Sequence, residues 1–278
     1  MAKTGEISIG RITSVYEREA ARIQCFVAFS INCGEKPDLR EFSVSTPMRF
    51  GLSQEEAENN PELVNLLKSE YNTWIAAVAF GQLSELLALY LDDIYLFLSV
   101  SHGLARGTLD KLLRAYPRFS KKSLNDKIQT LDHTYSLGAI YMDVVRSMST
   151  IRNCIIHRHG IVAGDDLNEA DKATLRWKGV DMTWTFGSRL GRIPPEHRGP
   201  ITKEIGDSVK IEIVMKKKSF GLGEKILLNA QEIGEIFWST GAVIQDVSEK
   251  ANTSIKGLEV NGTTPFSAPS PHFLSFLP

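Results

Sequence analysis

Arg152, Asn153 and His157, in the stretch Arg152-Asn153-Cys154-Ile155-Ile156-His157, combine three side chains that together suit chemistry on a phosphate group. An imidazole moves protons near neutral pH. A guanidinium stays ionised and stabilises negative charge that develops on phosphate oxygens. The Asn153 amide can orient either partner. His157 falls near the end of a predicted helix starting around Tyr141, where the macrodipole suits a general acid.

That helix carries two rows. Val144, Val145, Met148, Ile151 and Ile155 make its apolar side. Arg146, Thr150, Asn153 and His157, spaced four, three and four apart, share a second face and are all polar. A polar row on a core helix must be hydrogen-bonded, paired or wet, so it marks a cleft or an interface. Arg152 sits off the row: five residues turn it about 140° from His157. Twofold pairing of the helix with a second copy would gather Arg152, Asn153 and His157 of both chains into one groove. Arg152 and His159, seven apart, nearly share a face, so His159 stands as an alternative working histidine. Arg146 and His159 are candidates for holding substrate.

Other motifs carry less. His157-x-His159 lacks further ligands at metal-binding spacing, so no metal or cofactor is expected. Lys216-Lys217-Lys218 and the stretch Arg118 to Lys122 could track a phosphate backbone, but by default such runs read as solvated surface. Trp177, Trp184 and Trp238 read as core residues in preference to base-stacking platforms. Gly221-Leu222-Gly223 reads as a turn.

The elements that must position this constellation follow from periodicity. Glu6–Tyr16 leans towards strand, and Ile23, Cys25, Val27, Phe29 and Ile31 alternate with small or polar residues. With a turn at Cys33–Asp38 and a strand at Leu39–Ser45, residues 1–50 read as an antiparallel β meander. Asn60-Pro61-Glu62 is a helix start. Apolar residues behind it recur at helical spacing to about His102, a helix that calls for a bend or a buried dimer seam. A short helix from Leu109 stops at Pro117, and a long helical segment from Ser123 to His159 breaks near Gly138 and is capped by Gly160.

Residues 163–224 alternate again through Val180, Met182, Trp184 and Phe186, then Val209, Ile211, Ile213 and Met215. The Pro-rich loop Gly191–Pro200 lies between the two runs. Residues 225–254 form a last helix, and 255–278 a loose tail. The fold class is thus α+β: a helical bundle at 52–162 completed by the helix at 225–254, with an N-terminal β meander and a β-rich insertion before the last helix.

The 278 residues are 42% hydrophobic and 23% charged, ordinary for a globular chain, and the net charge of −1 argues against attachment to nucleic acid by bulk charge while leaving a small local basic site open. Three cysteines without a CxxC pair point to reduced thiols. The apolar stretch Trp74–Val100 is interrupted by Gln82, Glu85, Asp92 and Asp93, which favours a buried bundle helix over a membrane span. No apolar signal core follows Met1, so the expectation is a cytoplasmic protein away from membranes.

Arg152, the polar Asn153, three further residues and His157 match the RxxxxH pattern, and the chain resembles HEPN domains over about Leu52–Gly160 plus the last helix. The resemblance implies a dimeric helical bundle and a metal-independent endoribonuclease of the toxin–antitoxin or phage-defence kind. RNA would be its substrate, and an antitoxin or regulatory protein its possible partner. Arg152, Asn153 and His157 would be catalytic in attack of the 2′-hydroxyl on the adjacent phosphorus. One class carries a Tyr two residues after the histidine, modified by a partner nucleotidyltransferase; His159 stands there in this chain, so that control is not implied. Two further readings remain open: a non-catalytic module of the same shape binding RNA, nucleotide or protein, and a protein-interaction scaffold built on the long apolar helix.

Overall fold

The computed structural model describes residues 8–35, 59–137, 141–186, 189–192, 208–256 and 258. Among the described residues are the helices α1 (Ile9–Glu35), α2 (Pro61–Arg106), α3 (Leu109–Phe119), α4 (Leu124–Tyr135), α5 (Met142–Arg158) and α6 (Ala230–Ile255). Between α5 and α6 come a 3-10 turn at Gly164–Asp166 and the strands β1 (Ala173–Phe186), β2 (Arg189–Arg192) and β3 (Ser208–Phe220). The architecture is α+β and mainly helical.

α2 is the axle. Asn60 caps it by accepting the Leu63 amide at 3.1 Å, with Pro61 as its first residue, and it ends at Gly107 in the left-handed region at φ 66°. Each of the other described helices contacts it. Phe80, Leu83, Leu87, Tyr90, Leu91, Ile94 and Leu98 are consequently buried nearly completely. It is the one described helix long and apolar enough to cross a membrane, and half of its most apolar window is buried inside the protein. Its acids are answered from neighbours: Lys127 of α4 meets Asp92 at 2.7 Å, and the Tyr16 hydroxyl of α1 donates to Asp93 at 2.7 Å.

The N-terminal meander is corrected: residues 9–35 form one helix. Ile9, Ile12, Thr13, Tyr16, Ile23 and Val27 recur at helical spacing and turn towards the core, while Cys25, Phe26 and Phe29 face out. The run Glu17-Arg18-Glu19-Ala20-Ala21-Arg22 is rich in strong helix formers, and the alternation beyond it was a coincidence of two periodicities. The predicted strand at Leu39–Ser45, the loop beyond Arg192 up to Ser208, the break at Gly138 and the tail from 259 lie outside the described residues.

Pro117 does not stop α3, which runs to Phe119. The missing amide falls in the last turn, and the Phe119 ring, 2% exposed, stacks on Tyr95 with centroids 3.9 Å apart. The helical segment after Ser123 is two helices, separated where Ser136 takes a left-handed conformation at φ 56°.

The strands form one antiparallel sheet in the order β2-β1-β3, with Ala173 opposite Phe220 and Thr185 opposite Ser208. Ala173, Leu175 and Trp177 alternate into the core. Two serines stitch β1 to the bundle: Ser147 of α5 accepts the Arg176 amide and Ser239 of α6 accepts the Lys178 amide, each at 2.9 Å. In the Lys216–Lys218 run only Lys217 is exposed as expected; its two neighbours are engaged. Lys216 pairs with Glu235 at 2.7 Å and Lys218 with Glu232 at 2.9 Å, on the first turns of α6.

Candidate functional site

Along α5, Val144, Val145, Met148, Ile151 and Cys154 are fully buried, which forces the row Arg146, Thr150, Asn153 and His157 towards the surface. All four line an open groove of about 390 Å³. Ser123 and Asn125, at the start of α4, form its opposite wall, and the 3-10 turn closes one end with Asp165 and Asp166.

The structure therefore gathers Arg146, Asn153 and His157. His157 is exposed, with no hydrogen-bond partner among the described residues, so its ring nitrogens are open to whatever enters. Arg146 is half exposed, 3.7 Å from Asp143 one turn back. Arg152 is not in the groove lining. Its guanidinium lies against α2, 3.5 Å from Glu85, and donates to the Asn153 side-chain oxygen at 3.2 Å. Arg152 and His157 of one chain thus occupy different flanks of α5, and Asn153 alone touches both environments. His159 also lies outside the lining. It is the first of two left-handed residues that end α5, at φ 53°; Gly160 follows at φ 78°, and its amide donates to the Cys154 carbonyl at 3.1 Å, as expected of the capping glycine.

Several residues that build the site carried no sequence signal. Arg158 donates from Nε to Asp166 at 2.8 Å in a two-pronged ion pair, and Asp166 also accepts the Ala163 amide at 2.9 Å. Burial alone would raise the Asp166 carboxyl, but these donors outweigh it and hold it below the ordinary value. Arg158 is thereby committed to structure. Cys154 lies beneath this pair; burial, with the Asp166 carboxylate adding, pushes its thiol up to about 11, so it is no nucleophile near neutral pH. Among the described residues no three His, Cys, Asp or Glu side chains cluster as metal ligands.

A second feature adjoins the site. Gly81 of α2 faces α5: a Cβ there would meet the end of the Ile156 side chain at 3.4 Å, about van der Waals contact. Beside that contact Tyr71, Trp74 and Val78 of α2 and Ile156 of α5 are exposed by 38, 60, 42 and 49%, an apolar surface next to Arg152. No protein-family model matches the chain, and no curated protein or solved structure matches it significantly.

Proposed function

We propose that this protein is a HEPN-like, metal-independent endoribonuclease of the cytoplasm that works as a homodimer, in a toxin or defence role under a regulatory partner. The observation that carries the reading is the open groove on α5, where an unpartnered His157 shares a wall with Asn153 and Arg146. His157 takes the proton of the 2′-hydroxyl as O2′ bonds to phosphorus and returns it to the 5′-oxygen as the P–O5′ bond breaks, leaving a 2′,3′-cyclic phosphate. Arg146 holds a neighbouring phosphate, and Asn153 orients the scissile one. In this reading Arg152 completes the site from the second copy, with the exposed apolar surface of Tyr71, Trp74, Val78 and Ile156 as the seam between the two.

The test is cleavage of end-labelled RNA in EDTA. Wild-type protein is expected to leave 2′,3′-cyclic phosphate ends, His157→Ala to leave the RNA intact, and Arg152→Ala to cut it about a hundredfold more slowly, both variants remaining folded. Cleavage by His157→Ala at the wild-type rate would remove the reading.

The engagement of Arg152 by Glu85 favours a second reading, a non-catalytic RNA-binding module of the same shape. Stable retention of RNA without cleavage by wild-type protein selects it.

A further inference from the structure

In sequence, Arg118 and Lys122 look like ordinary solvated charges. In the fold they belong to a row. Lys111, Arg114 and Arg118 share one face of α3, Lys122 follows in the turn to α4, and the four wall a second hollow of about 470 Å³. Lys111, Arg114 and Arg118, three and four apart, are neighbours on one helix face. No carboxylate lines this hollow; Tyr95, Phe119 and Thr130 help complete it.

The charges are uncompensated. Among the described residues no ion pair engages Lys111, Arg114 or Arg118, and Lys122 donates only to the Thr130 hydroxyl, at 2.7 Å. In a chain with 32 basic and 33 acidic side chains, four unpaired cations around one hollow are a local concentration. Like charges one turn apart repel, so this row costs stability until an anion enters it. The floor is apolar and rigid: the Tyr95 and Phe119 rings stack 11° from parallel and are 4 and 2% exposed. A low-dielectric floor strengthens the field above it.

The hollow also has a direction. Lys122 lines it, and the next residue, Ser123, lines the groove that holds Asn153 and His157. The two concavities flank the same few residues at the start of α4. From Lys111 to Arg118 the row covers roughly 10 Å, about three phosphates at the ~3.4 Å axial spacing of a stacked strand.

We propose that Lys111, Arg114, Arg118 and Lys122 form a phosphate track for single-stranded RNA, leading the strand over the start of α4 to the His157 groove. The substrate class rests on the RNA reading above. A membrane surface is the weaker fit, because surface-bound segments set exposed apolar side chains beside their cations, whereas the aromatic rings here are buried.

The test uses the full chain carrying His157→Ala, so that bound RNA stays whole. Fluorescence anisotropy of a labelled ~20-nucleotide single-stranded RNA is followed between about 50 and 200 mM salt. Adding Lys111→Gln, Arg114→Gln, Arg118→Gln and Lys122→Gln is expected to weaken binding at least about tenfold and to lower the log–log salt slope by about 3, at ~0.7 per phosphate contact. The milder pair Lys111→Gln and Arg118→Gln, with the helical circular dichroism retained, gives about half that drop. Arg11→Gln with Arg18→Gln, exposed cations on α1, leaves affinity and slope alone. Unchanged affinity and slope in the four-site variant, or no RNA binding by the starting protein, overturns the track. Loss of binding to phosphatidylserine vesicles with RNA binding intact overturns it in favour of a membrane. RNA held through the row by a wild-type protein that never cleaves supports the track and removes only the nuclease reading.

Discussion

The Arg152 guanidinium donates to the Asn153 side-chain oxygen at 3.2 Å while its other nitrogen reaches Glu85 on α2 at 3.5 Å. Asn153 therefore joins a groove residue to an arginine that the groove does not contain. In the proposed site this makes Asn153 the hinge on which phosphate stabilisation depends. Arg152→Ala is expected to lower RNA cleavage about a hundredfold, the scale for removing one transition-state donor. Arg152→Lys is expected to recover little, because an ammonium cannot reproduce the fork that engages Asn153 and Glu85 together. Cleavage kinetics under single-turnover conditions decide this; full activity in both variants excludes Arg152 from the site.

Asp166 anchors the end of the groove, and its behaviour sets an acid limit. Burial favours its neutral form, but Arg158 and the Ala163 amide hold the folded carboxyl below its unfolded value. The stability this contributes is complete above the unfolded pKa of about 3.9 and is lost as pH falls through the lower folded value. Asp166→Asn should lower stability at neutral pH by about 1–3 kcal/mol, or several degrees in melting temperature, and should flatten the acid side of the profile. Thermal unfolding between neutral and acid pH measures both; an unchanged midpoint at neutral pH would show that the pair contributes nothing.

His102 gives a second pH effect at milder acidity. It is 7% exposed, hydrogen-bonded to Ser254 at 3.1 Å through Nε2, and its Nδ1 has no partner. Burial, with Arg106 adding repulsion, lowers its pKa, so the fold keeps it neutral. The unfolded chain takes up the proton first, and stability present above about pH 6.5 is lost as pH falls below it. His102→Gln should flatten the melting temperature between neutral pH and about pH 5. A slope equal to that of wild type assigns the effect elsewhere.

His159 ends α5 at φ 53°, where a side chain is strained and glycine is not. His159→Gly is expected to stabilise the protein by about 1 kcal/mol and to keep RNA cleavage, because the imidazole lies outside the groove lining. Urea unfolding and the cleavage assay are read on the same variant. A destabilised protein refutes the cap argument, and lost cleavage restores His159 as the working histidine.

The apolar surface beside Arg152 predicts the assembly. Wild-type protein should elute at dimer mass by light scattering, and Trp74→Glu, which sets a charge amid Tyr71, Val78 and Ile156, should yield a folded monomer without cleavage activity. A wild-type monomer at micromolar concentration removes the twofold site.

Much of the site's machinery was legible along the chain because it is local. The row Arg146, Thr150, Asn153 and His157 follows from helical geometry once the apolar side of α5 is known, and the groove contains all four. The start of α2 at Asn60-Pro61, the strand alternation through Val180 and Ile213, and the last helix behind Asn229 are equally local. α1 was misread for a physical reason: in a run as apolar as Ile23–Ile31, periods of 2 and 3.6 fit nearly equally well. Burial of Ile9, Tyr16 and Val27 against α2 and α6 decides between them.

What sequence determined, then, is which side chains share a helix face, since a backbone period relates neighbours within a few turns. Only the tertiary structure decided who meets that face from elsewhere. Glu85 reaches Arg152 from 67 positions away, Asp166 commits Arg158 to structure, and the turn at Lys122–Ser123 sets the basic row beside the groove. Such partners depend on how helices dock, and no spacing along the chain encodes them.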